Sequence, residues 1–211
     1  MSVLTSPLLS SLPGIEHGFG TRHSGLTQDA MASLQQVHSN ITLVADRRSG
    51  CVGEGDALLS AERGVTVSIR TADCLPILLA DRRTGAVAAV HAGWRGTAAG
   101  IVGVALARMR AEFGSEPGDV LAAIGPGIGK CCYEVGIEVA QQLGETTAGR
   151  VDLAEHNRRQ LEVAGLSTSH IEIVSPCTFC EAEQFFSYRR EAERAGRMIS
   201  FIRAAALTRS S

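Results

Sequence analysis

Two short apolar runs, Leu75 to Ala80 and Ala86 to Val90, flank the polar, glycine-ended stretch Asp81-Arg82-Arg83-Thr84-Gly85. Strand-length apolar segments on either side of such a turn predict a β-hairpin, and a hairpin dictates which residues of its two arms share a face. With Ala80 paired to Gly85, Cys74 stands directly across from His91, their Cβ atoms roughly 4.5–5.5 Å apart. A one-residue slip would send one of the two side chains to the opposite face. A thiolate and an imidazole held on adjacent strands can bind a metal, or serve as a nucleophile and its base.

Length and charge bound the rest. The chain has 211 residues, 45% of them hydrophobic, enough for the full core of one domain spanning 1–211. A net charge of −2 gives no electrostatic case for nucleic acid or a membrane surface. No stretch approaches the ~20 apolar residues of a membrane span. Met1 to Pro13 lacks the basic start of a signal peptide, so a cytoplasmic location is expected. In that reducing setting the six cysteines read as thiols, some packed and some chemical.

The pattern of apolar residues predicts strands at Glu16–Thr21, Ile41–Ala45, Val65–Ile69, Val120–Ile124, Ile171–Val174 and Met198–Ile202, besides the hairpin. Ala98, Ile101, Val102, Ala105, Met109 and Phe113 recur at helical spacing, with Thr97 as the N-cap. Further helices are predicted over Glu134–Leu143 and Asp152–Ala164, the latter opened by Asp152 with Glu155 three residues on. The segment Gly144 to Asp152 reads as a long surface loop. Strands arriving in runs with helices irregularly interspersed predict an α+β domain of packed mixed β-sheets flanked by helices.

His38, in Gln36-Val37-His38, adds a third donor to Cys74 and His91. Two nitrogens and one sulfur suit a zinc ion with an open fourth position, and copper accepts the same donors. The spacing between them matches no local zinc-finger pattern, and a hydrogen-bonded structural histidine is an equal reading for His38. Between His91 and the Thr97 helix, Trp94-Arg95-Gly96 offers Arg95 as an anion ligand beside a helix start, with an ordinary surface ion pair as the alternative. Trp94 fits either a stacking role or the core. Gly125-Pro126-Gly127-Ile128-Gly129-Lys130 is glycine-rich without being a Walker loop, because Cys131 follows the lysine. Gly127 there would let backbone approach a ligand, unless the stretch is a plain packed turn. Cys131 and Cys132 are expected to face opposite ways, and Cys177-Thr178-Phe179-Cys180, a solitary C-x-x-C unit, to be packed thiols in preference to a metal or redox element. Phe185-Phe186-Ser187-Tyr188-Arg189-Arg190 offers an aromatic wall with an anion clamp, or aromatic core beside solvated arginines.

Taken together, Gln36-Val37-His38, Thr71-Ala72-Asp73-Cys74-Leu75-Pro76, His91-Ala92-Gly93-Trp94-Arg95-Gly96, Ile124-Gly125-Pro126, Cys131-Cys132-Tyr133-Glu134-Val135-Gly136 and Phe185-Phe186-Ser187-Tyr188-Arg189-Arg190 resemble the bacterial multicopper polyphenol oxidase (laccase) family. That family is also described as zinc-dependent purine nucleoside phosphorylase and adenosine deaminase, and as peptidoglycan editing factor. The likeness runs from about Gly18 to Ile202. It implies a mononuclear metal on His38, Cys74 and His91, and a nucleoside (adenosine, inosine, guanosine or methylthioadenosine) and phosphate as small-molecule partners. The implied reactions are phosphate attack at the ribose carbon that bears the base, and hydrolytic loss of the adenine amino group. Asp73 or Cys132 would carry the proton; Arg95, Arg22, Arg189, Gly127 and Phe186 would contact substrate or anion. A monomer or homodimer is expected. In one respect the chain departs from the family: between the Gly18–Arg22 motif and Gln36 it is shortened, keeping only Leu26 to Gln35, which contains no arginine.

Three rival readings stand beside this one. A copper-dependent polyphenol oxidase of the multicopper kind needs several ions and many more than six histidines. A metal-free hydrolase with Cys74 as nucleophile and His91 as base could act in peptidoglycan precursor editing. A nucleotide-sensing module would bind purines without turnover.

Overall fold

The computed structural model describes residues 3–46, 48–174 and 176–205, which leaves Met1 and Ser2 of the N-terminal stretch outside it. Two six-stranded sheets carry the fold. The first runs β1 (Val3–Leu4), β2 (Ile15–Gly20), β14 (Met198–Ala204), β7 (Val67–Thr71), β3 (Ala32–Gln35) and β5 (Gly50–Glu54). The second runs β13 (Ile171–Ile173), β10 (Val120–Ile124), β8 (Leu75–Asp81), β9 (Val87–Ala92), β6 (Ala57–Ser60) and β4 (Thr42–Val44). Both are mixed: β3 is parallel to β5 and β7, β10 to β13 and β4 to β6, while the remaining pairs are antiparallel. The α+β architecture of packed mixed sheets is therefore as the strand and helix pattern predicts.

Why β8 and β9 read as unbroken apolar runs is plain from their position. The second sheet is the middle layer, and every residue of both strands is buried. Leu75, Ile77 and Leu79 point to the side where helix α3 (Ile101–Phe113) packs with Ile101, Val102, Ala105 and Met109. Leu78 and Ala80 point the other way, against Val67, Ile69 and Phe19 of the first sheet. Helix α5 (Leu153–Val163) joins α3 on the outer side through Leu153 and Leu161. Asp152 caps it, accepting from the Glu155 N–H at 3.0 Å.

The hairpin pairs two residues away from the predicted register. Ala80 lies opposite Val87, and Pro76, not Cys74, lies opposite His91. The cause is Asp81, a buried residue whose Oδ1 accepts the N–H groups of Arg83 at 2.7 Å and Thr84 at 3.1 Å. That side-chain turn keeps Asp81 within the ladder and leaves a four-residue loop. A shift of two preserves parity, so Cys74 and His91 still share a face.

Other expectations are corrected. Thr97 caps no helix: it is buried inside a short helix, α2 (Trp94–Ala98), whose N-cap is Gly93. The chain then breaks at Gly100, which takes φ 71° and opens α3. Part of the loop predicted over Gly144–Asp152 is paired, with Gly149–Arg150 (β12) antiparallel to Glu134–Val135 (β11). The predicted helix over Glu134–Leu143 shortens accordingly to α4 (Ile137–Gln142). The shortened segment before His38 contributes β3 to the first sheet. Among the described residues no helix is long and apolar enough to cross a membrane.

Candidate metal centre and cavity

β7 ends at Thr71, and the chain crosses from one sheet to the other through Ala72 and Asp73 to Cys74, the residue before β8. β9 delivers His91 one residue short of its end, and the loop before β4 delivers His38. The side-chain donor atoms of His38, Cys74 and His91 lie within 4.8 Å of one another. The two imidazole rings meet edge to face, with centroids 4.9 Å apart.

A residue that the sequence reading passed over organises this cluster. Asp56, fully buried at the start of β6, receives the backbone N–H of Val37 at 3.3 Å, His38 at 3.0 Å and Ser39 at 2.6 Å, and the Ser39 hydroxyl at 2.8 Å. Its Oδ1 also lies 2.8 Å from Nδ1 of His91, while its backbone carbonyl accepts the His91 N–H at 2.7 Å. One carboxylate thus shapes the loop that carries one donor and orients the ring of the other. An acceptor-only carboxylate places the proton on Nδ1, which leaves Nε2 of His91 to face a ligand. His38 itself takes φ 60°, and Asp73, next to Cys74, takes φ 79°. Both are left-handed conformations that non-glycine residues rarely adopt, and the hydrogen bonds around them hold them there.

Electrostatics follow from the geometry. Burial alone would raise the carboxyl of Asp56, but its bonds to His91 and Ser39 outweigh that and hold it at about 2. Burial opposes ionisation of Cys74 too, yet the two imidazoles bring its thiol down to about 6. His91 is raised to about 9, because Asp56 and Cys74 outweigh burial, so an ion binding at its Nε2 would displace the proton held there.

The donors fit a metal ion on three grounds. The sulfur is poised to be a thiolate, one imidazole is oriented by a carboxylate, and space is kept for the sulfur itself. That space comes from Gly93, where a Cβ would sit 2.9 Å from the Cys74 sulfur and 3.3 Å from Cδ2 of His38. The set can hold a metal ion.

Above the donors opens a cavity of about 690 Å³, within the range of small-molecule sites. Arg70, Arg95, Arg189 and Arg197 supply its positive charge, and Trp94, Tyr133 and Tyr188 its aromatic surface. The Arg95 guanidinium lies 4.3 Å over Trp94, and Arg189 lies 5.4 Å over Tyr133. Burial and the nearby Cys74 push the Tyr133 phenol up to about 12, so it stays a hydrogen-bond donor. Gln36, also on the wall, mimics a strand by bonding both backbone groups of Arg70, at 2.8 and 2.7 Å. Asp73 lines the cavity, but its carboxylate accepts from the Thr178 hydroxyl at 2.6 Å, the Ser187 hydroxyl at 2.9 Å and the Arg189 N–H at 2.7 Å.

Four residues proposed from sequence lie outside the lining. Arg22 donates to the Ala182 carbonyl and stacks 4.6 Å over Phe186, so each occupies the other. Gly127 is crowded by protein instead of open to a ligand: a Cβ there would meet Leu75 at 2.5 Å. Cys132 turns away, its sulfur 3.3 Å from that of Cys180. Cys131 follows it to the same partner at 3.7 Å, contrary to the expectation that the two would face opposite ways.

A three-layer α+β sandwich with an imidazole–thiolate cluster beneath a basic, aromatic cavity defines an enzyme class with a potential metal centre. The chain belongs to the multi-copper polyphenol oxidoreductase laccase family, whose model matches residues 20–205. It is 42% identical over 188 residues to a purine nucleoside phosphorylase of Deinococcus radiodurans, a match covering 84% of this chain and 72% of that one. It is 33% identical over 201 residues to adenosine deaminase RL5 from an unknown prokaryotic organism, covering 84% and 76%. In structure it is similar to YlmD from Geobacillus stearothermophilus, with a TM-score of 0.86, 29% identity and coverage of 95% and 94%.

Proposed function

We propose that this chain is a zinc-dependent purine nucleoside phosphorylase with adenosine deaminase activity, and that His38, Cys74 and His91 hold the zinc. The observation that carries the proposal is the position of the three donors, at the foot of a cavity lined by arginines and aromatic rings. Relatives named as a purine nucleoside phosphorylase and an adenosine deaminase support the choice of substrate class.

When bound, zinc would supply a Lewis acid and lower the pKa of water towards ~7. Everything else falls to the chain. Arg95 and Arg189 present guanidinium groups suited to the planar, bidentate recognition of phosphate. Trp94 and Tyr133 each carry one of these guanidinium groups over a ring face, so the arginines and rings together form the surface that a purine would meet. Asp56 holds His91 in one tautomer and keeps His38 in place without touching substrate. Asp73 is one of the two proton carriers suggested from sequence, and its three accepted bonds also tie Ser187, Thr178 and Arg189 to the cavity wall. Cys132, the other carrier suggested by sequence, lies outside the cavity lining with its sulfur beside that of Cys180, which favours Asp73 for that role.

Zinc-loaded protein incubated with adenosine tests the proposal. Adenine formed only with phosphate supports phosphorolysis, and inosine supports deamination. Neither product from metal-replete protein would sink it. Activity that survives chelation and is abolished by alkylating Cys74 would favour the cysteine hydrolase instead, and phenol oxidation that requires copper would favour the oxidase.

A further inference from the structure

We propose that Cys131, Cys132, Cys177 and Cys180 form a second, structural metal site that takes one zinc ion in tetrahedral all-thiolate coordination. The four sulfurs lie within 4.8 Å of one another, although they come from segments more than forty residues apart in sequence. Tetrahedral zinc with Zn–S bonds of ~2.3 Å sets its sulfurs ~3.8 Å apart. Cys180 lies 3.3 Å from Cys132 and 3.7 Å from Cys131, in keeping with that spacing. Two disulfides would have to pair Cys132 with Cys180 and Cys131 with Cys177, whereas Cys131 and Cys132 both approach Cys180, the shared arrangement of ligands around one ion. A cluster of several irons needs its sulfurs spread more widely than this, around a bulky inorganic core.

The backbone around the four sulfurs is closely packed and hydrogen-bonded. The Gly129 N–H donates to the Cys177 sulfur at 3.2 Å. A Cβ at Gly129 would come within 3.3 Å of the Cys131 sulfur and 3.3 Å of Cys177 Cβ, so a residue without a side chain keeps the two turns together. Each turn is closed by its own backbone bond, Cys132 N–H to the Gly129 carbonyl at 2.9 Å and Glu181 N–H to the Cys177 carbonyl at 3.0 Å. The two are joined by a parallel bridge between Gly127 and Cys177, with Thr178 N–H donating to the Gly127 carbonyl at 3.0 Å.

The ion would act as a staple. Thr178, enclosed within the C-x-x-C turn, holds Asp73, and Tyr133, which follows Cys132, lines the cavity. Zinc here fixes two segments of the substrate wall to each other while sharing no ligand with His38, Cys74 or His91. The inference therefore does not rest on the proposed activity.

Metal counting on the full chain, purified under reducing conditions and equilibrated with zinc, tests it. Two zinc ions per chain are expected in the native protein, one in Cys177→Ser/Cys180→Ser and one in His38→Ala/His91→Ala. Cobalt in the histidine variant should give the strong thiolate-to-metal charge transfer and tetrahedral ligand-field bands of an all-sulfur site. Should either variant fail to fold, cobalt titration of the native chain still decides, because the sulfur charge transfer at saturation must exceed what the single thiolate of Cys74 supplies, and its absence overturns the site. A Cys177→Ser/Cys180→Ser chain that keeps the native zinc content, or a His38→Ala/His91→Ala chain that takes up no cobalt with that band, overturns the site. So does a mass lowered by two disulfides that persists, metal-free, after zinc is offered in reductant.

Discussion

At the scale of single residues, the proposed metal centre hangs on Asp56, whose carboxylate contacts only protein groups. Asp56→Asn keeps the shape but removes the charge that five donors address. Metal affinity is expected to fall by about 10–100-fold, the usual cost of losing such an outer partner, as read by chelator competition. An unchanged affinity would mean that the ring of His91 is oriented by something else. Gly93→Ala makes the opposite kind of test. With φ at −76° the backbone accepts alanine, so the fold should lose no more than about 1 kcal/mol. The new methyl group must displace the Cys74 sulfur, and zinc binding should weaken at least tenfold in the same competition assay. The donors themselves were legible in sequence because residue type carries their chemistry. Asp56 was not, since an acidic residue before the apolar run Ala57-Leu58-Leu59 looks like a strand-end turn until its distant partners are in place.

At the scale of elements, five of the six strands of the second sheet and both longer helices were readable, because double burial and helical periodicity leave strong patterns; β6, a short run directly after Asp56, was missed. Failures fell where local chemistry competes with pattern. Asp81 lengthened its turn by folding its side chain over it, and Gly100 interrupted what looked like a single helix from Thr97. Strands β3 and β5 carry few apolar residues and are recognisable only through their neighbours. Thr97 exchanged a capping role for a tertiary one: its hydroxyl accepts from Asn157 of α5 at 2.9 Å, and its carbonyl accepts from Gln160 at 2.7 Å. Thr97→Val should therefore cost about 1–3 kcal/mol in urea denaturation by stranding a buried amide N–H. A loss below half a kcal/mol would show that Asn157 finds another partner. The vicinal and C-x-x-C cysteines show the same limit at longer range, since nothing in either segment announces the other.

At the scale of the whole molecule, the sandwich is closed at one end by the N-terminal segment. Ser6, buried, donates its N–H to Nε2 of His17 on β2 at 2.8 Å and its hydroxyl to Glu172 on β13, so one residue spans both sheets. Burial holds the His17 pKa below its usual value, against the pull of Glu172. The neutral ring is therefore favoured in the fold, and its contribution is complete above the unfolded value of ~6.5. As pH falls through that value, the unfolded chain takes up a proton that the folded one resists, and stability declines. His17→Gln keeps an acceptor for Ser6 without the titration. Its urea midpoint should fall less than that of the native chain between pH 7.5 and 5.5; identical slopes would discount His17.

His38, Cys74 and His91 meet only where the two sheets come together, so an extended chain offers them to metal one at a time. Capture of the proposed zinc would accordingly favour the folded molecule over the extended chain. With free zinc at a hundred times its dissociation constant, the folded form gains about 2.7 kcal/mol, and stripping the ion should lower the melting temperature reversibly. A cell short of zinc would then hold the same polypeptide in a state that unfolds more readily, tying the lifetime of the protein to the supply of its metal.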